Sequence, residues 1–272
     1  MKNVVSLVRL FVLIVAAVFW LLSCDSHGDS KSSDNGNASD DTDSSVCSPD
    51  EGESATSGIL TPTHDSSYYV EQSAKYFDTL DSYADPNSVP DYSPMVARWE
   101  WPPWLKLTGI GAEQMVWIDR LLRLYPTTVP TRVCQAFSAQ PFGRCHVVFF
   151  YQGKPCPIYE EFTFNDQGEM TFIEAWSDLP GMLPSSDPSD YWAEGDDVHR
   201  LSTKIPGLGN ETGRIDLNGY CLQRAGNGDA DIADFLKRAR NPIGWWLREY
   251  LTNPDSFNRG CGWNSADCAE EM

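Results

Sequence analysis

The sequence predicts an α+β fold: helices packed on a strongly curved, mostly antiparallel sheet, with a C-terminal extension that contains a helix. Three observations predict it. Arg144–Trp176 holds three runs rich in aromatic and β-branched residues, divided by Gln152-Gly153 and by Asn165-Asp166-Gln167-Gly168. Such runs, bounded by Gly, Asn and Asp, read as consecutive antiparallel strands. Upstream of them lie two segments with apolar residues at helical spacing, each followed by a proline. Helices first and a meander second place the helices on one face of the sheet.

The first helix is expected over Ser67–Tyr83, with Tyr69, Val70, Ser73, Tyr76, Phe77, Leu80 and Tyr83 at helical spacing. Asp65, Ser66 or Ser67 can cap it, and Pro86 ends it. Val89–Gly109, dense in Pro and Trp, reads as irregular. The second helix is expected over Ala112–Tyr125. Met115, Ile118, Leu122 and Tyr125 form its buried stripe; Glu113, Asp119, Arg120 and Arg123 face away, and Pro126 stops it.

The strands follow. A hairpin of Thr131–Phe137 and Phe142–Tyr151 around Ser138–Pro141 sets Cys134 opposite Cys145, as a cross-strand disulfide requires. In Cys145–Tyr151 both faces are apolar, so this strand should be covered twice. Ile158, Glu160, Phe162 and Phe164 share a face of the next strand, with Tyr159, Glu161 and Thr163 opposite. In the last, Met170, Phe172, Glu174 and Trp176 alternate with Thr171, Ile173 and Ala175.

Asp178–Asn227 is rich in Pro, Gly, Asp and Ser, with strand signals near His199–Ile205 and Arg214–Leu217. Ala225-Gly226-Asn227-Gly228-Asp229 reads as a loop. Asp229–Arg240 reads as a helix with stripe Ile232, Phe235, Leu236 and Ala239, and Ile243–Leu251 continues it beyond Asn241-Pro242. This extension is expected to wrap the outer face of the sheet, which would otherwise call for a second copy of the chain as a homodimer partner.

The N-terminus reads as an export signal. Lys2 and Arg9 flank the apolar run Leu10–Leu22, which Ser23-Cys24 follows. Leu21-Leu22-Ser23-Cys24 resembles the lipobox of bacterial lipoproteins. By that resemblance residues 1–23 are removed and Cys24 carries acyl chains, enough together for stable anchoring. An uncleaved anchor, or an ordinary signal peptide with an incidental Cys24, is the competing reading. Residues 24–58 then form a disordered tether of Ser, Asp, Asn and Gly, with nine acids and one lysine, too polar to bury a core. A cone-like α+β domain over 59–178 and the loop-rich extension 179–272, helical at about 229–251, complete the organisation.

The chain carries net −19, and what remains after signal and tether still holds 17 basic and 30 acidic residues. That balance repels phosphate backbones and excludes nucleic acid as a partner. With Cys24 acylated, seven cysteines remain to pair outside the cytoplasm. Cys134–Cys145 is the first candidate pair and Cys261–Cys268 the second, leaving over one of Cys47, Cys156 and Cys221. There is no CxxC and the four His are scattered, so no metal site is expected. No phosphate loop, dinucleotide fingerprint, nucleophile elbow or zincin sequence occurs, and no cofactor is implied.

Taken together, helix, Tyr83-Ala84-Asp85, the Trp/Pro passage, Thr108-Gly109-Ile110-Gly111-Ala112-Glu113, helix, and strands ending Phe164-Asn165-Asp166-Gln167-Gly168 through Trp176 resemble the nuclear transport factor two-like superfamily. Its members include SnoaL-like polyketide cyclases and ketosteroid isomerases. The resemblance spans Ser67–Asp178 and implies a conical barrel with a pocket at its wide end. In the resembling enzymes a carboxylate in the cone abstracts a carbon-bound proton. Candidates for that carboxylate are Glu100, among Trp99, Trp101 and Trp104, and Glu160 or Glu174 on the strands; His146 is a further candidate base. None matches a catalytic motif of the superfamily. The plainer readings are a loop acid paired with Arg98 for Glu100, a solvated sheet face for Glu160 and Glu174, and a hydrogen-bonded core histidine for His146.

The sequence therefore points to an exported, lipid-anchored protein on the periplasmic face of a membrane or at the cell surface. Its expected role is non-catalytic binding of a small apolar ligand or an envelope protein. The alternatives are an isomerase or cyclase using a pocket carboxylate, and a structural envelope lipoprotein. An enzyme needs a desolvated acid at the base of a continuous pocket; a binding module does not.

Overall fold

The computed structural model describes residues 61–101, 111–123, 127–151, 154–177, 184–187, 189–194, 198–206, 208, 215–242 and 244. Helix α1 (Ser66–Leu80) leads to strand β1 (Tyr92–Trp101) and helix α2 (Ala112–Leu122). Strands β2 (Thr127–Ala136), β3 (Gly143–Tyr151), β4 (Lys154–Phe164) and β5 (Met170–Ser177) form the meander. A small hairpin, β6 (Ser185–Asp187) and β7 (Asp190–Glu194), and two helices, α3 (Tyr220–Gly228) and α4 (Ala230–Ala239), follow.

The five strands order as β1-β5-β4-β3-β2. All neighbours are antiparallel except β1, which runs parallel to β5 at the edge. Register shifts at Tyr92/Ala97, Thr128/Thr131 and Thr163/Phe164 bend the strands that carry them. The third of these turns Met170 to the inner face, away from the Phe172, Glu174 and Trp176 with which simple alternation groups it.

The inner face is roofed by α1 and α2. Tyr69, Tyr76, Phe77 and Leu80 of α1 and Met115 and Ile118 of α2 pack on Val147, Phe149, Phe162, Phe164 and Ile173 of the sheet. These residues belong to the stripes that helical spacing predicts; the Leu122 side chain and Tyr125 lie outside the described residues. Arg123 fixes the two helices together: its guanidinium donates to the carbonyls of Asp78, Thr79, Asp81 and Ala84 at 2.6–3.0 Å, satisfying acceptors at the C-terminal end of α1. Two glycines hold positive φ. Gly111 (φ 81°) opens α2 and donates to Val96 O at 2.6 Å; a Cβ there would meet Pro94 O at 2.9 Å. Gly168 (φ 81°) closes the β4–β5 turn, which Asn165 Oδ1 braces by accepting from the Gln167 and Glu169 amides.

The outer face is covered by the extension, as expected. Leu201, Ile205, Leu208, Ile215 and Leu217, with Leu222 of α3 and Ile232, Phe235 and Leu236 of α4, pack on Trp99, Trp101, Tyr159, Phe172 and Trp176. Asp229 caps α4, accepting from the Asp231 and Ile232 amides, and Lys204 bridges Asp229 and Asp231 at 3.0 and 2.7 Å. The cover is incomplete: Phe150 on β3 remains 41% exposed and Val133 on β2 48%. The prediction that β3 is sheltered on both sides thus holds fully for its inner face and in part for its outer one, where His146 and Val148 are half-buried.

Several expectations are corrected. Val89–Gly109 is not irregular throughout, because Tyr92–Trp101 is a strand; Pro94, which lacks an N–H, is tolerated since β1 lies at the sheet edge. The first helix ends at Leu80, so Tyr83 lies outside it and is exposed. His199–Ile205 forms turns, and no strand occupies residues 215–217. Tyr220–Gly228 is a helix despite Gly226 and Gly228, since Leu222 gains burial against the outer cluster and outweighs weak local propensity. Cys134 and Cys145 are in register and form a disulfide, with Cα atoms 4.1 Å apart. Cys156 and Cys221 are also disulfide-bonded, so neither is the one left over. The Cys261–Cys268 pair, the lipobox cysteine Cys24, the tether and residues 245–251 lie outside the described residues.

Glu174 clamps the extension to the outer face. Its carboxylate, buried among Trp101 and Trp176, accepts from Trp101 Nε1 at 2.7 Å, from the Leu201 amide and from the Ser202 amide at 3.0 Å. Removing it strands three donors in a dry layer. Glu174→Ala should lower unfolding free energy by about 2–4 kcal/mol. Amide hydrogen exchange should accelerate first at Leu201 and Ser202; unchanged protection there would show that the apolar contacts alone hold the segment.

Candidate functional site

Strand alternation determines where the charged candidates go. Val96 faces inward on β1, so Arg98 and Glu100 do too, while Ala97, Trp99 and Trp101 face the extension. On β4, Glu160 shares the inner face with Ile158 and Phe162. The fold therefore brings Glu100 and Glu160 together beneath the helices. Arg98 Nη2 meets Glu160 Oε1 at 3.1 Å, and Arg98 Nη1 pairs with Glu100 Oε1. The guanidinium lies 5.6 Å from the centre of the Tyr76 ring.

A third acid joins them. Asp119, expected on the outward face of α2, is buried at 1% exposure. It follows Met115 by four residues and Ile118 by one, so a helical wheel sets it on the buried stripe. Neither of its oxygens has a hydrogen-bond partner among the described residues. The same is true of Glu100 Oε2, Glu160 Oε2 and the hydroxyls of Tyr76 and Tyr92. The Thr79 hydroxyl donates to Tyr76 O at 2.5 Å instead.

Burial dominates the titration of this cluster. It pushes Glu100 up to about 8 and Asp119 and Glu160 up to about 7, opposed in part by Arg98 at the two glutamates and by the Thr79 hydroxyl, then Arg98, at Asp119. One guanidinium cannot neutralise three carboxylates in a low dielectric, so protons remain on them near neutrality. The arrangement can store and exchange protons. It is closed: Arg98, Glu100, Asp119 and Glu160 are all buried.

The other candidates sit elsewhere. Glu174 is on the outer face in its clamp, with its pKa raised by burial. Its neighbour Glu161 also faces outward, taking a bidentate contact from Arg200 at 3.1 and 2.7 Å, and burial raises it to about 7. His146 packs on the outer face between Tyr159 and Trp192, at ring separations of 4.6 and 4.9 Å. The solvated-face reading of Glu160 and Glu174 is thus overturned, because helices cover one side and the extension the other. Glu100 does pair with Arg98, but on a buried strand rather than an exposed loop.

An open cleft of about 810 Å³ lies at the rim, between the N-terminal end of α1, the start of β1, the outer side of α2 and the β4–β5 turn. Val89, Pro90, Ala112 and Val116 supply apolar surface, and Tyr68, Tyr92 and Trp117 supply rings. Asp91, Glu113, Arg120, Gln167 and Glu169 are its polar lining. None of Glu100, His146, Glu160 or Glu174 reaches it. Tyr92 joins cleft and interior, lining the cleft while its hydroxyl is buried; Tyr68 and Ala112 also line the cleft and pack against the inner core. The sequence gives little sign of the cleft, since its walls come from four separate segments. Among the described residues no group of three or more His, Cys, Asp or Glu could hold a metal ion.

No family model and no curated protein matches the chain. Similar solved structures include an NTF2-like protein of unknown function from Cytophaga hutchinsonii, 10% identical, covering 39% of this chain and 87% of that one at a TM-score of 0.29. Another is a protein of unknown function with a cystatin-like fold from Methylobium petroleophilum, 15% identical, covering 46% and 86% at a TM-score of 0.35. These likenesses concern fold alone. The helix-on-curved-sheet architecture itself rests on the chain's own strand order and packing. Among the described residues no helix is long and apolar enough to cross a membrane.

A carboxyl whose pKa the fold raises binds its proton more tightly folded than unfolded. It contributes stability below its unfolded pKa and loses it as pH climbs through the folded value. Glu100, Asp119, Glu160 and Glu161 together should make the unfolding midpoint fall between about pH 4.5 and 8, with Glu160→Gln flattening the slope. Arg98→Leu should cost about 3–5 kcal/mol at pH 7, because it leaves buried carboxylates without their cation. The loss should shrink at pH 5, where they protonate. Urea unfolding at both pH values checks this, and equal losses would show that Arg98 acts through packing.

Proposed function

We propose that this chain is an exported, lipid-anchored binding module that holds a small ligand with an apolar body in the rim cleft. One observation carries the reading: the open cleft and the buried acids are different places. The acids that could do proton chemistry are covered by helices or by the extension, whereas the cleft presents aromatic and aliphatic surface to solvent. Its size suits a small molecule. Export and anchoring come from the lipobox resemblance at Leu21–Cys24 and the polar tether behind it, which would hold the folded part off a periplasmic or outer surface.

A second reading, a proton-transfer isomerase, is favoured by Asp119, a desolvated acid near pH 7 with neither oxygen partnered among the described residues. The two separate in one series. A fragment screen read by chemical-shift changes should perturb Trp117 and Val116 without turnover, and Asp119→Asn should leave those shifts intact. Conversion of a hit that Asp119→Asn abolishes would establish the enzyme instead, and no hits at the cleft would remove the binding reading. For the anchor, Cys24→Ala should move the chain from the membrane fraction to the soluble extracytoplasmic fraction and end incorporation of labelled palmitate. Retention in the membrane would point to an uncleaved helix.

A further inference from the structure

The cleft is unevenly charged. Among the described residues, Asp91, Glu113 and Glu169 line it against one cation, Arg120. Hydrogen bonds orient two of the acids without using them up. The Tyr68 hydroxyl shares its one proton between Asp91 Oδ2 at 3.1 Å and Gly168 O at 3.0 Å, and Asn165 Nδ2 donates to Glu169 Oε2 at 2.8 Å. Each carboxylate keeps a second oxygen with no hydrogen bond among the described residues. Arg120 forms no ion pair with any of the three there, so it does not quench them.

The rings add a second, independent feature. Trp117 leaves 54% of its surface in water on the cleft wall, where a large aromatic face is normally covered. Tyr68 is held as a neutral phenol, its ionisation opposed by burial and by Asp91 and Glu169. Neutral rings beside carboxylates attract a cation through the ring faces and the charges together. A bare metal ion does not suit the site, since the acids do not converge into a metal-holding group among the described residues. The chain's net charge of −19 further concentrates cations around it.

We propose that the cleft selects an organic ammonium ion with an apolar body. The ammonium N–H groups donate to Asp91 and Glu169, the Trp117 and Tyr68 rings face the cation, and Val89 and Val116 take the hydrocarbon. The proposal rests on the cleft being the ligand site, and its test keeps the two claims apart.

Isothermal titration of the full-length chain in detergent would compare three probes of one shape: 2-phenylethylammonium, neutral 2-phenylethanol and anionic 3-phenylpropionate. The ammonium should bind at least about tenfold more tightly than the alcohol, and the advantage should shrink as salt rises from about 20 to about 500 mM. Glu113→Gln, at an exposed position with no hydrogen bond among the described residues, should reduce the advantage, and Asp91→Asn with Glu169→Gln should abolish it. Affinity for the alcohol should fall far less than affinity for the ammonium in both. Equal binding of ammonium and alcohol, or tighter binding of the anion, overturns the selectivity and leaves the binding site standing. No binding by any probe removes the cleft as a ligand site and the proposal with it.

Discussion

From Ile158 to Phe164 strand β4 has no solvent on either side, and much of the structure answers to that. Ile158, Glu160, Phe162 and Phe164 meet the helices on one face; Tyr159, Glu161 and Thr163 meet the other layer. Burying both faces yields a large apolar return, roughly 25 cal/mol per Å². It also carries two adjacent glutamates into a dry interior, one on each face. Each face then supplies an arginine from a different part of the chain: Arg98 from β1 reaches Glu160, and Arg200 from the extension reaches Glu161. The extension is therefore more than an apolar lid. Without it Glu161 would lose Arg200 and Glu174 the amides of Leu201 and Ser202, leaving only Tyr159 and Trp101 as their donors among the described residues.

These buried pairs do more for specificity than for stability. Removing charge from water costs several kcal/mol per ion, and mutual attraction only partly offsets it. What they fix is register. A one-residue slip of β1 against β5 would turn Arg98 and Glu100 outward onto Phe235 and leave Trp99 facing Glu160, so every charge would lose its partner at once. That constraint suits an edge strand with Pro94 and a bulge, whose own hydrogen bonds define its position weakly.

Where local pattern and tertiary packing agree, the sequence was legible. The meander, the Asn165–Gly168 turn, the Cys134–Cys145 register and the stripes of α1, α2 and α4 all follow from alternation or helical spacing. Tyr92–Trp101 did not, because Trp and Pro crowd a segment that becomes a strand only when β5 offers it a parallel partner. Tyr220–Gly228 did not, because its glycines imitate a turn and only Leu222 buries deeply. Asp119 reads as outward because it is charged, although the helical wheel sets it on the buried stripe with Met115 and Ile118. The acids Glu100, Glu160 and Glu174 could be picked out, but not their surroundings, since which layer covers each face is not a local property.

Tyr92 decides how the cleft and the buried acids relate. Its ring is part of the cleft wall, and its hydroxyl ends inside without a partner, in the same layer as Asp119. Burial and the neighbouring Asp119 both oppose its ionisation, so it stands as a neutral phenol. A proton passing between a ligand in the cleft and Asp119 has to cross buried packing to which Tyr92 contributes, since that acid is 1% exposed and does not line the cleft. Binding in the cleft requires no such crossing, and this separates the two readings physically.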